Sequence, residues 1–133
     1  MSTKEDNFTD KDKFFMSLAL DLARSKNGLT GVNPAVGAVI VNKKNEIISI
    51  GSTGIHGVPH AEDNAINNST EEVKDSTLYV TLEPCNHYGK TPPCTNSIIR
   101  SGISELIYSM EDIDKRVKGK SFKKAQRGKI EVP

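Results

Sequence analysis

The run NPAVGAVIV, residues 33–41, is followed by the polar NKKN (42–45) and a second apolar run, EIISIG (46–51). Two β-rich runs separated by a short polar connection read as an antiparallel hairpin. The first is apolar almost without interruption, the pattern of a strand buried on both faces rather than one with a wet side. Upstream, Phe14, Phe15, Leu18, Leu22 and Ala23 recur at helical spacing, which predicts an amphipathic helix over 11–26, stopped by Gly28. Downstream come a short helix in HAEDNAINNS (60–69), a strand in TLYVTL (77–82) and a Pro- and Gly-rich loop from Glu83 to Pro93. They are followed by a helix in CTNSIIRSG (94–102) and a strand in ELIYSM (105–110). A basic helix around 119–127 and a short strand at 129–132 complete the expectation. Helices alternating with strands after a hairpin predict an α/β fold, a three-layer α/β/α sandwich over a mixed sheet of about five strands.

The chain of 133 residues fits one domain, expected over 11–133, behind a polar, flexible lead-in at 1–10. No apolar run approaches the ~20 residues of a membrane span, and the N-terminus lacks the apolar core of a secretory signal. The expected setting is therefore cytoplasmic, with no membrane partner. Net charge is +1 but unevenly spread: residues 1–114 hold 10 basic and 16 acidic side chains, and 115–133 hold 8 basic and 1 acidic. Such a basic end could meet RNA, although a solvated Lys-rich face balancing an acidic body accounts for it more simply. The two cysteines, Cys85 and Cys94, have no oxidising compartment to pair in, and in this setting point to metal binding or catalysis.

Both cysteines lie in EPCNHYGKTPPCTNSII (83–99), each after a proline, with Cys94 at a helix start. A helix N-terminus lowers a thiol pKa and favours the thiolate that zinc needs. His60, on the first turn of its own short helix, completes a His-Cys-Cys set suited to Zn²⁺, one per chain, with the fourth position open to water. Glu62, two residues on, is too near His60 to be a natural fourth ligand. It is placed instead to take a proton from an activated water, the work of a general acid/base in hydrolysis of a C–N bond. A lone His-x-Glu is usually surface and a lone Cys usually packing; it is their conjunction that carries the reading.

These motifs resemble the cytidine-deaminase-like superfamily. The eight-residue interval between Cys85 and Cys94, where nucleoside and tRNA deaminases usually have two, is similar to that of the pyrimidine deaminases of riboflavin biosynthesis. In that family a strand-leading Asn-Pro, a His-Ala-Glu and a Pro-Cys-x-His-x-Gly-Lys/Arg-Thr-Pro-Pro-Cys segment come in this order, and the likeness runs over about 11–133. It implies zinc on His60, Cys85 and Cys94, with Glu62 as the proton shuttle. It also implies contacts from Asn33, Ala61, His87 and Lys90 to a small phosphorylated pyrimidine ribotide. The implied reaction removes the 2-amino group of 2,5-diamino-6-ribosylamino-4(3H)-pyrimidinone 5′-phosphate as ammonia. Lys90, a point charge on the loop between the thiols, suits a phosphate, and Asn33 offers both a donor and an acceptor.

Two departures stand out. Relatives commonly carry a His seven residues before the metal-binding one; here that position is Thr53, with His56 nearby. Only Asp112 of DIDK (112–115) matches the family's Asp-Pro-Asn-Pro. Many relatives continue into a reductase. No glycine-rich dinucleotide fingerprint appears here, so the chain is expected to be a stand-alone deaminase or the N-terminal piece of a longer protein, with a separate or fused reductase and self-association as further partners. Two rivals remain. One is a tRNA or nucleoside deaminase, favoured by the basic end and disfavoured by the long interval between the cysteines. The other is a non-catalytic module with a structural zinc closed by His87, which leaves Glu62 without a role.

Overall fold

The computed structural model describes residues 2–4, 9–81, 94–109 and 125–129. In chain order the elements are β1 (Ser2–Lys4), α1 (Asp10–Ser25), β2 (Gly37–Val41), β3 (Ile47–Ser52), a 3₁₀ turn (Ile55–Gly57), α2 (Ala61–Asn68), β4 (Thr77–Val80), α3 (Cys94–Ser101), β5 (Glu105–Ser109) and β6 (Ala125–Lys129). The strands form one mixed sheet in the order β1-β6-β5-β4-β2-β3.

The predicted hairpin is present: β2 pairs antiparallel with β3 and, on its other side, antiparallel with β4. All five residues of β2 are buried, as its unbroken apolar run required. Alternation sends them to two layers. Val39 and Val41, with Tyr79 and Ile107, pack against Phe15, Met16 and Ala19 of α1. Ala38 and Ile40, with Leu78, Val80 and Leu106, pack against Ala61 and Ala65 of α2 and Ile98 of α3. Full burial of one such branched side chain stabilises the fold by roughly 1.5–3 kcal/mol. Gly51 lets α2 lie close on β3, because a Cβ there would meet the Ala61 carbonyl oxygen and the Ala65 nitrogen, each at 2.5 Å.

α1 begins with a capping box. The Thr9 hydroxyl accepts from the Asp12 N–H (3.1 Å), and the Asp12 carboxylate accepts from the Thr9 N–H (3.0 Å). Asp12 is fully buried, and its other oxygen accepts from the Tyr79 hydroxyl on β4 (2.6 Å), tying helix to sheet. Removing that donor while keeping the ring leaves a buried acceptor underserved, at a cost of about 1–3 kcal/mol. Tyr79→Phe is therefore expected to lower the urea midpoint with an unchanged m-value, and an unaltered midpoint would remove this bond from the stability of the fold. Phe14, which spacing placed on the apolar stripe, is 60 % exposed, with its ring edge-on to Phe15 at 5.4 Å. Gly28 follows the helix end with φ 86°, as a stop signal should.

The edges depart from expectation. Among the described residues the mixed sheet has six strands, against an expectation of about five. The lead-in is not without regular structure, because Ser2–Lys4 pairs antiparallel with β6, and α1 starts at Asp10. At the other end Ala125–Lys129 is a strand, so residues 125–127 are extended rather than part of a basic helix; 110–124 and 130–133, and with them most of the strand expected at 129–132, lie outside the described residues. Neither STK nor AQRGK carries a strand pattern. Their extension comes from pairing: β6 supplies partners for the backbone groups of β5, and β1 does so for β6.

One consequence of the topology positions everything that follows. β2 is antiparallel to both β3 and β4, so β3 and β4 run parallel, and β5 is parallel to β4. α2 connects β3 to β4 and α3 connects β4 to β5, both against the same face of the sheet. Both helices therefore begin at the same edge of the sheet, the carboxyl edge of the parallel strands, where open α/β sheets hold their ligands.

Candidate active site

His60 stands at that edge as the N-cap of α2, in extended conformation (φ −70°, ψ 158°) and without a side-chain capping bond. It is thus one residue outside the helix rather than within its first turn. Glu62 is in the first turn and only 4 % exposed, a buried carboxylate at the positive end of a helix. Asn64 anchors the turn: its side-chain N–H donates to the Ser52 carbonyl (2.7 Å), and its main-chain N–H donates to the His60 carbonyl (3.0 Å). Cys94 is the first residue of α3. The sheet edge that carries His60 and Glu62 is therefore also the edge from which the Cys94 helix departs, on the same face.

The loop entering His60 is cross-tied. The Gly54 N–H donates to the Pro59 carbonyl (2.9 Å) and the Gly57 N–H to that of Gly54 (2.8 Å), closing the loop on itself. The Asn33 amide donates to the Gly57 carbonyl (3.0 Å), and the His56 N–H to the Leu29 carbonyl (2.8 Å), binding this loop to the one that leads into β2. Gly57, at φ 99°, is required here twice over: few side chains accept that conformation, and a Cβ would meet the Asn33 amide nitrogen at 2.6 Å. Asn33 is half-buried, with its own carbonyl accepting from the Thr30 hydroxyl (2.6 Å).

Of the residues expected at the site, His60 and Glu62 stand at the start of α2, Asn33 is tied to the loop that enters His60, and α3 starts at the same edge of the sheet. Ala61, the first residue of α2, is fully buried, and its methyl group packs in the core. Cys85, His87 and Lys90 lie outside the described residues. Thr53, at the position where the resemblance leads one to expect a histidine, is 2 % exposed, and its hydroxyl is hydrogen-bonded to the backbone that leads into β2. His56 is exposed and has φ 74°. Among the described residues no three His, Cys, Asp or Glu side chains converge on one point, and no helix is long and apolar enough to cross a membrane.

Residues 9–110 match the model of the cytidine and deoxycytidylate deaminase zinc-binding region. The chain belongs to this family. The chain is 47 % identical over 121 residues to the riboflavin biosynthesis protein RibD of Aquifex aeolicus, covering 91 % of this chain and 34 % of that protein. It is 48 % identical over 110 residues to a diaminohydroxyphosphoribosylamino-pyrimidine deaminase of Buchnera aphidicola, covering 83 % of this chain and 74 % of the relative. Among solved structures it resembles a diaminohydroxyphosphoribosylaminopyrimidine deaminase/5-amino-6-(5-phosphoribosylamino)uracil reductase of Thermotoga maritima. That match has a TM-score of 0.69 and 38 % identity, over 80 % of this chain and 33 % of that one. The chain thus spans about a third of the length of the RibD relatives it matches.

Proposed function

We propose that this deaminase catalyses the hydrolytic removal of the 2-amino group of 2,5-diamino-6-ribosylamino-4(3H)-pyrimidinone 5′-phosphate, releasing ammonia. The supporting observation is a buried carboxylate, Glu62, two residues past His60 at the sheet edge where the helix opened by Cys94 also begins. The donor set fits zinc: the His60 imidazole with the Cys85 and Cys94 thiolates is a soft three-ligand set, and Cys94 at a helix start favours its thiolate form. When bound, zinc supplies Lewis-acid chemistry that makes water a nucleophile near neutral pH. Glu62 takes one proton from that water as its oxygen bonds to C2 of the pyrimidine. The same carboxyl passes that proton to the adjacent ring nitrogen, and then carries the remaining water proton to the amino nitrogen as the C–N bond breaks, leaving a carbonyl at C2 and free ammonia. Burial keeps bulk water away from the carboxyl between these transfers.

In this reading Asn33 is held by Gly57 at the mouth of the site and meets the ribosyl end of the substrate, while His87 and Lys90 meet its phosphate. The deaminated product passes to a reductase, on a separate chain or on the same one, the activity the Thermotoga maritima protein is named for. Ammonia release from the ribotide and from tRNA tests the assignment: turnover of the ribotide alone is expected, and turnover of tRNA alone would overturn it.

Lys90 sharpens that comparison. A charge-assisted contact to the 5′-phosphate is worth about 1.5–3 kcal/mol, or roughly 10–150-fold in kcat/KM. Lys90→Ala is expected to cost this much on the ribotide and little on the dephosphorylated riboside, and equal losses would remove the phosphate contact. The basic cluster should be neutralised rather than deleted, because Ala125–Lys129 forms β6. Changing Lys118, Lys120, Lys123 and Lys124 to Gln is expected to leave ribotide turnover unchanged. The tRNA reading requires the reverse, with a salt dependence carried by those lysines.

A further inference from the structure

β3 and β4 end in the same unusual way. One residue past β3, the Thr53 N–H donates to the Val36 carbonyl (3.0 Å), as an antiparallel ladder requires. The returning bond is different: the Val36 N–H donates to the Thr53 hydroxyl (2.9 Å), where a continuing ladder would use the Thr53 carbonyl. One residue past β4, the Thr81 N–H donates to the Gly37 carbonyl (3.1 Å), and the Gly37 N–H donates to the Thr81 hydroxyl (3.1 Å). Both threonines are buried, Thr53 at 2 % and Thr81 at 0 % exposure. Val36 and Gly37 are consecutive, so their N–H groups point to opposite neighbouring strands, and each finds a side-chain hydroxyl.

The substitution of hydroxyl for carbonyl has a physical consequence. A chain that leaves a sheet strands the facing N–H of its neighbour, which is destabilising if that N–H is buried without an acceptor. A threonine at the exit satisfies that N–H from its side chain and releases its own carbonyl, so the backbone can turn off the ladder at that residue. Here both exits flank the start of β2, at the carboxyl edge of the parallel strands. From Thr53 the chain runs through the cross-tied loop to His60, and from Thr81 it runs on to Cys85, four residues along.

We propose that Thr53 and Thr81 are a matched pair of positioning residues, whose hydroxyls set where the chain leaves the sheet toward His60 and toward Cys85. This rests on the zinc reading above and adds two residues that touch neither metal nor substrate. The Thr53 hydroxyl also lies 3.3 Å from the Pro34 carbonyl, which extends its hold to the segment that carries Asn33.

The test is zinc affinity, by chelator competition at a temperature where each variant is folded. Thr53→Val and Thr81→Val keep the shape and remove the acceptor. Each is expected to weaken zinc binding by about 10–100-fold, the range for groups that orient ligands. Thr53→Ser and Thr81→Ser keep the hydroxyl and are expected to bind as wild type. Tyr79→Phe loses the buried hydrogen bond to Asp12 of α1, which neither strand exit uses, and is expected to lower stability with no change in zinc affinity. Should the valine variants not fold, Thr53→Ala and Thr81→Ala, small enough to admit a water to the exposed amide, serve in the same comparison. Wild-type affinity in the hydroxyl-free variants, or an equal loss in Tyr79→Phe, would overturn the proposal while leaving the metal site intact. A wild-type chain that binds no zinc would overturn the metal reading itself, and the proposal with it.

Discussion

Glu62→Gln is expected to fold, to hold zinc as tightly as the wild-type chain, and to lose about 10²–10⁴-fold in kcat. Glutamine preserves the shape of the buried side chain and its place in the first turn of α2, so neither the core around Ala61 and Ala65 nor the His60 N-cap is disturbed. It cannot accept a proton. The attacking water then gives up no proton to this side chain, and neither the ring nitrogen nor the departing nitrogen receives one from it, so both halves of the reaction are slowed by one change. Because the same group acts twice, the upper end of the range is the sharper expectation. Zinc content and turnover must be measured on the same preparation, since a variant that loses metal would be inactive for another reason. Near-wild-type kcat in a zinc-loaded Glu62→Gln chain would remove Glu62 from the mechanism and reopen the structural-zinc reading, in which that carboxylate has no work.

What the sequence made legible divides along physical lines. β2 could be read because a strand buried on both faces leaves no polar position in its run, and α1 because its buried residues recur at three and four. The same periodicity misplaced Phe14, since spacing places a residue at the margin of a stripe without saying whether a neighbour covers it. β1 and β6 were invisible as strands because their residues carry no alternation. Their conformation is imposed by the hydrogen-bonding edge that β5 presents, which exists only once the sheet has assembled.

The proposed site shows the same split. His60 and Glu62 could be singled out because the proposed chemistry demands those residue types at that spacing. Thr53, Gly57 and Thr81 could not, because a hydroxyl that replaces a carbonyl, or a glycine that admits a neighbouring amide, answers to contacts between distant segments. Thr53 is instructive: as a letter it looks like a lost substrate contact, and in the fold it is a structural group facing inward. The parallel run of β3, β4 and β5, which brings both helix starts to one edge, likewise follows from pairing partners that no local pattern names.

Cys85→Ser is expected to abolish zinc retention, whereas His87→Ala is expected to keep it. A serine hydroxyl is a hard, neutral ligand with its proton still on, and replaces a soft thiolate poorly. With only three protein ligands to begin with, losing one leaves two, which cannot compete with water and buffer for the ion. His87, two residues after Cys85, is the group that would complete a four-coordinate site. A closed Cys₂His₂ site has no position left for a water, and structural zinc sites of that kind are as sensitive to one ligand as to another. Metal content after gel filtration, measured for Cys85→Ser, Cys94→Ser and His87→Ala side by side, therefore separates an open site from a closed one. The open site predicts two empty variants and one full one, with the full variant losing affinity for the phosphorylated substrate instead. If His87→Ala emerges as empty as Cys85→Ser, the ion is held by four side chains. Water then has no place beside Glu62, and hydrolytic deamination is lost as an explanation of this chain.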